Sequence, residues 1–509
     1  MSQYYPPAPA PTQPTQPYYS QTDQQQYYPP QSGRYSPVPH YQPPAYEQGS
    51  FRGSIAEKWN PTPKFQGMYL WAFLLFLVHL AGFVILSYIG LKRLIDNNKL
   101  GGKSEFFNPE IIPPFAISGV AGLILSVVYL LLMQRFPQPL IKITLYLSIA
   151  TYFIAAAFFF LSRLYIWAVI FVVFGILYLI AAFSWRNRIP FAAILLETVV
   201  SITRKYYGVV IMGFIGLILQ VGWSVLWILS LLGAYEYFDA TMCTVASNGR
   251  KSCSIGLYLI LVYLIFSFYW TSQVIKTIVH VTASGVYATY YFLEGTPQGA
   301  GTTPTLSSFK RATTTSIGSI CFGSLIIALL STTRTVLQAF ANSDEGACGF
   351  CAVCIACLLA WIESLVEYFN FYAYVEVAIY GKSYCQAAKD TWTLIKDRGV
   401  EAIINDDLIG NVLTMGSLLI GVLCGILGYI YISTSIQYLL TENTNLVIVF
   451  VIICFVIGFM MCVVITDAIG SGVSTTFVAL AEDPDALRRT KPLLFEKIRL
   501  QWPRVVQGI

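Results

Sequence analysis

The chain has 509 residues, of which 56% are hydrophobic and only 11% charged, with a formal net charge of +5. With a positive mean hydropathy, that balance belongs to a polytopic membrane protein, and its charge is spread too thinly for a nucleic-acid partner. Three histidines in the whole chain argue against a His-based metal site or a His-dependent hydrolase in the membrane.

Residues 1 to about 66 are of low complexity. The first 50 hold 12 Pro, 10 Gln and 9 Tyr. Such a segment cannot bury a core, so it is expected to be a disordered cytoplasmic tail with polyproline II character. Within it stands Pro43-Pro44-Ala45-Tyr46, a PPxY ligand of the kind WW domains hold in aromatic grooves. Chance occurrence in so biased a tract is the competing explanation. No basic, apolar secretory leader precedes the first hydrophobic run, which is therefore expected to serve as signal anchor.

Ten apolar runs follow, each long enough to span a bilayer as a helix: about 68–91, 113–133, 139–161, 164–185, 207–233, 255–280, 313–340, 347–378, 406–434 and 446–470. The first holds His79, expected as a buried, hydrogen-bonded neutral side chain. Between the fourth and fifth lies WRNRIPFAAILLETVVSITRKYY, basic at both ends and amphipathic between, which reads as a helix lying in the membrane interface. The loop at about 234–254 contains Cys243 and Cys253, which can form a disulfide if that loop is outside, two free thiols being the alternative. The fold class is all-α: a transmembrane domain of ten helices at 67–475, then a charged cytoplasmic tail at 476–509.

Basic residues set the orientation. Arg186, Arg188, Arg204, Lys205, Lys310, Arg311, Lys382, Lys389, Lys396 and Arg398 fall on the side of the N-terminus, so both termini are expected in the cytoplasm. The loop at about 92–112, with Lys92, Arg93, Lys99 and Lys103, is the exception.

The most informative stretch runs from Gly346 to Gly399. Its apolar half carries Glu363, Glu367, Asn370 and Tyr374, spaced i, i+4, i+7, i+11, so they form one polar stripe on a helix. Trp361, Ser364, Tyr368 and Tyr372 lie on the neighbouring face. An intramembrane carboxylate costs a few kcal/mol and faces a cavity or a partner; Arg334, a proton or a cationic solute are the candidates for Glu363. Glu376 reads as a residue of the inner water interface. Cys348, Cys351, Cys354 and Cys357 invite a metal reading. Steps of three residues spread them over about half a helix circumference, so they read as small packing residues. Gly458, Gly470 and Gly472, with Ser471 and Ser474, read likewise as close-approach positions. No HExxH, P-loop or GxSxG is present, so neither an enzyme, a cofactor nor ATP-driven pumping has support.

SFKRATTTSIGSICFGSLIIAL at 308–329, the Cys-rich span leading into Trp361-Ile362-Glu363, NFYAYVEVAIYGKSYCQAAKDTWTLI at 370–395 and AEDPDAL at 481–487 resemble the choline transporter-like family, within it the fungal "pH nine-sensitive" branch. The resemblance covers roughly residues 65–500. It implies ten transmembrane helices, a plasma-membrane location and solute transport without ATP.

The residues themselves point to a small-molecule solute, an organic cation being best served. Rings within about 6 Å of such a cation contribute roughly 0.5–2 kcal/mol each, and Trp361, Tyr372 and Tyr374 supply them beside Glu363, Glu367, Asn370 and Arg334. The rival readings are a membrane-anchored scaffold recruiting a WW-domain ubiquitin ligase through Pro43, Pro44 and Tyr46, and a passive channel. A channel needs a polar lining on several helices, and the sequence displays such a stripe on one.

Overall fold

A computed structural model describes residues 69–96, 112–245, 251–297, 299–343, 347–435 and 444–501; Pro43, Pro44 and Tyr46 lie outside them. Long apolar runs free of interior proline produce α1 (Leu70–Asp96), α2 (Ile112–Arg135), α3 (Pro137–Leu161) and α4 (Tyr165–Trp185). A single 3₁₀ turn, Arg186–Arg188, leads into α5 (Ile189–Lys205). Then come α6 (Gly208–Met242), a short antiparallel hairpin of β1 (Cys243–Val245) and β2 (Lys251–Cys253), α7 (Ile255–Leu293), α8 (Pro304–Thr313), α9 (Ile317–Ser343), α10 (Ala347–Tyr380), α11 (Tyr384–Ser435), α12 (Thr444–Glu482), α13 (Pro484–Thr490) and α14 (Pro492–Gln501). Ten segments among the described residues are long and apolar enough to cross a membrane.

The spanning helices alternate in direction, so their connections fall into two sets. One end of the bundle, the basic end, carries the α2–α3 turn, α5, α8, the α10–α11 turn and α13–α14. The other carries the hairpin, in which Cys243 and Cys253 face each other and are joined by a disulfide.

Several helices overrun the apolar stretches that mark them. α7 and α12 have 39 residues each, about 58 Å at 1.5 Å per residue, against a hydrocarbon core of about 30 Å. α11 starts at Tyr384, so the polar KSYCQAAKDTWTLIKDRG segment belongs largely to the helix of the ninth span. These extensions carry the main core on to the basic end, where Leu196, Tyr287, Phe292, Phe477, Leu487 and Phe495 belong to the same cluster as Tyr129 and Ile420 of the spans.

That core corrects the reading of α5. Ala192, Leu196, Val199 and Val200 are fully buried, so the apolar face of α5 packs on protein and not on acyl chains, while Ser201, Arg204 and Lys205 stay exposed. The helix packs on α12, α3, α2 and α11, with smaller contacts to α14 and α7, a cover that hydropathy alone does not reveal.

The cysteine reading is corrected too. Cys351, Cys354 and Cys357 are exposed, while Ala352 and Ala356 are buried; the close-packing face of α10 is its alanines. α1 and α6 cross so tightly that a Cβ on Gly233 would overlap the carbonyl of Gly90, the approach small residues permit. α12 runs unbroken through Gly458, Gly470 and Gly472. A Cβ at Gly472 would come within 2.6 Å of the Tyr287 ring.

Candidate functional site

The polar stripe of α10 forms, and it divides. Glu363 is buried and turns to α9, where Arg334 Nε lies 2.7 Å from its Oε2 and the Ser331 hydroxyl donates to Oε1. Asn370 is buried and accepts from the Tyr384 hydroxyl. Tyr374, also buried, donates to the carbonyl of Ile320 at 3.3 Å. Neighbouring helices satisfy Glu363 and Tyr374, whereas Asn370 Nδ2 is buried with no hydrogen-bond partner among the described residues. Trp361, two residues from Glu363 and hence across the helix, is 63% exposed. The aromatic wall expected beside Glu363 is therefore absent from that position. Tyr372 and Tyr368 turn instead to α11, where their hydroxyls donate to Asp406 Oδ2 at 2.6 and 3.0 Å.

Glu367 behaves differently. It is exposed and accepts from Gln273 Nε2 of α7 at 3.2 Å. Gln273, Lys276 and His280 lie at i, i+3, i+7, one face of α7. The direction of that face is fixed by His280, whose Nδ1 is 2.8 Å from Ser471 Oγ of α12 and whose Nε2 is 3.0 Å from the Phe371 carbonyl of α10. A neutral imidazole with its proton on Nε2 satisfies both contacts, the Ser471 hydroxyl turning to donate to Nδ1. The Phe371 ring stacks on it with centroids 4.2 Å apart. Asp467 stands one turn from Ser471 on α12, within electrostatic reach of Lys276, and both are exposed. Glu367, Lys276 and Asp467 thus stand where α7, α10 and α12 meet, and all three are exposed. Asp406 with Tyr368 and Tyr372 borders this junction from α11.

A second network braces α11 from behind. The Tyr178 hydroxyl donates to Asp407 Oδ2 at 3.0 Å, Asn411 Nδ2 donates to the Tyr178 oxygen, and Ser148 donates to Asn411 Oδ1 at 3.0 Å. It ties α3 and α4 to α11 through a span that would otherwise expose acids to lipid.

Towards the basic end, Glu376 is fully buried, which corrects its reading as an interface residue. Lys382 Nζ lies 2.8 Å from Glu376 Oε2, 2.8 Å from Asp390 Oδ2 and 3.9 Å from Glu482 Oε1. It also sits 4.3 Å from the Tyr380 ring centroid. One ammonium thereby joins α10, α11 and α12. Burial works against its charge, but Glu376 and Glu482 outweigh burial and hold Lys382 above the usual lysine pKa.

His79 is buried as expected, though held by rings rather than hydrogen bonds. Phe76, Tyr263, Phe266 and Trp270 surround it with centroids 4.8–5.7 Å away, and neither ring nitrogen has a partner. Asp239 lies close to Cys243 and Cys253, but both sulfurs are in the disulfide, which leaves no thiolate for a metal.

The junction was missed by sequence reasoning because it assembles from three helices. A signal existed: Lys276 inside the sixth apolar run and Asp467 inside the tenth are charges that a lipid-facing helix would not keep. Chemically, carboxylates from α10, α11 and α12 with Tyr368, Phe371 and Tyr372 nearby can neutralise and stack a small organic cation. Lys276 serves as the resident counter-charge.

A family profile described as plasma-membrane choline transporter matches residues 169–485. Protein PNS1 of Mycosarcoma maydis is 35% identical over 498 residues, covering 96% of this chain and 92% of the relative. Protein PNS1 of Gibberella zeae is 35% identical, covering 92% and 88%, and that of Candida albicans 33% identical, covering 97% and 96%.

Proposed function

Because this chain belongs to the choline transporter-like family, we propose that it carries a small solute, an organic cation of the choline class, across the plasma membrane, with both termini in the cytoplasm. The observation that carries this reading is the junction of α7, α10 and α12. There Glu367 and Asp467 are exposed, next to the Tyr368–Tyr372–Asp406 cluster. Glu367 of the α10 stripe and Tyr372 of the neighbouring face belong to the solute path. Glu363 with Arg334, Asn370 and Tyr374 hold its walls, and Trp361 stands apart from it. A cationic solute entering the junction replaces Lys276 as the counter-charge of the carboxylates, so occupancy changes which groups bind α7 to α12. No ATP is required; the solute's gradient supplies the driving force.

The test is uptake of radiolabelled choline into liposomes holding the purified protein, with competition by a panel of quaternary and tertiary amines. Saturable, amine-competed uptake supports the reading. Uptake that only neutral or anionic solutes compete with sinks the cation assignment.

A second reading rests on Pro43-Pro44-Ala45-Tyr46: the tail recruits a WW-domain ubiquitin ligase that sets surface abundance. Tyr46→Ala then abolishes pull-down by WW domains and slows removal from the surface, leaving transport per molecule unchanged. Undiminished pull-down marks the motif as compositional accident.

A further inference from the structure

At the basic end a groove of about 340 Å³ opens between the α2–α3 turn, α5 and α14, lined among others by Arg135, Phe136, Gln138, Ile194, Glu197 and Lys497. Its place in the fold marks it. Arg135 is the last residue of the second membrane span and Pro137 the first of the third, so the groove opens where the hydrocarbon core ends. Arg135 is exposed and makes no ion pair among the described residues. Lys497 Nζ reaches Glu197 Oε2 at 3.3 Å, with Phe136 half exposed beside them.

α14 supplies the second observation. It buries Phe495 and Ile498 against the rest of the protein, yet Leu493 is 88% and Leu500 76% exposed. Leu493, Lys497 and Leu500 stand at i, i+4, i+7, one face of the helix. A face that alternates bare leucine with a lysine bordering a basic groove is unfavourable in water. Beside a bilayer it is favourable, because the leucines meet acyl chains while the lysine reaches phosphate.

We propose that this groove seats the head group of an anionic phospholipid, Arg135 and Lys497 taking its phosphate and Leu493 and Leu500 entering the acyl layer. Guanidinium and ammonium suit this role, the first as a planar fork on two phosphate oxygens and the second as a point charge. Glu197 competes with the phosphate for Lys497 and so limits affinity. If the basic end faces the cytoplasm, as proposed above, the lipid belongs to the inner leaflet, where anionic lipids attract basic residues. Binding to purified protein does not depend on that orientation or on the solute, so failure here and failure of the transport reading are separable.

The experiment is native mass spectrometry of the full-length protein released from nanodiscs of phosphatidylcholine with or without phosphatidylserine. Wild type is expected to retain phosphatidylserine in preference to phosphatidylcholine. The R135Q/K497Q pair should lower that retention by on the order of tenfold, and E197Q, which frees Lys497, should raise it. Equal retention of the two lipids by wild type overturns the proposal. So does unchanged retention in both variants, and so does displacement of the lipid by inorganic phosphate alone, which would assign the groove to a soluble anion.

Discussion

Replacing Lys382 by methionine removes one ammonium that three helices share. Two of its carboxylate contacts are at 2.8 Å, each an attraction of about 6 kcal/mol at an effective dielectric near 20. Desolvation of the ions offsets most of that, and a buried Glu376 left without Lys382 takes up a proton, so the net loss on breaking the set is no more than about 3–5 kcal/mol. Glu376 sets the figure, being fully buried, while Asp390 and Glu482 keep 27% and 20% of their side chains exposed and can turn to water. Glu376→Gln keeps the shape, removes the buried charge and leaves Lys382 two acids, so it should cost only about 1–3 kcal/mol. The double variant should be more stable than Lys382→Met alone, because no buried carboxylate is left without a partner. The assay is unfolding of the purified protein in detergent for wild type, both single variants and the double, read as a double-mutant cycle. Additive effects, or a Lys382→Met protein as stable as wild type, would show that the three helices do not depend on the shared ammonium.

Glu363→Gln should lower protein abundance, because it strands Arg334 within the bundle, and adding Arg334→Gln should restore it; unchanged abundance in the single variant would show that the pair is not structural. Cys253→Ser opens a loop closed across a sequence separation of 10, worth about 2–3 kcal/mol in chain entropy, and should lower the unfolding midpoint. On intact cells after mild reduction, an impermeant thiol reagent should label Cys243, whereas labelling only after permeabilisation reverses the orientation. Lys491 lies over the Tyr290 ring at 3.6 Å, and burial lowers its pKa to about 8. The unfolded chain therefore binds more protons between that pH and the usual lysine value near 10.4. Over this window the group's contribution makes stability rise with pH, and Lys491→Met should flatten the slope.

The ten spans were legible because length and hydropathy suffice for a bilayer, and the i, i+4, i+7 spacing correctly marked one polar face of α10. What spacing cannot tell is how such a face is shared among neighbours. Arg334 was nameable as a partner of Glu363 because few cations stand inside apolar runs. Lys382 was not matched to Glu376 because the pairing depends on a sharp reversal at Gly381, whose φ of 64° is the left-handed region that glycine tolerates. The burial of α5 was hidden for a related reason: its cover is assembled from helices as far apart in sequence as α2 and α14, the last some 300 residues away. The junction at Lys276, His280 and Asp467 joins two helices remote in sequence to the marked one, so local periodicity has no means of finding it.

Passage of a cation through the α7–α10–α12 junction is read out by choline uptake into liposomes holding Asp467→Asn and Glu367→Gln proteins whose unfolding midpoints match wild type. A loss of at least tenfold in uptake for each, with folding intact, is the predicted result. Wild-type uptake in both variants would contradict passage through the junction.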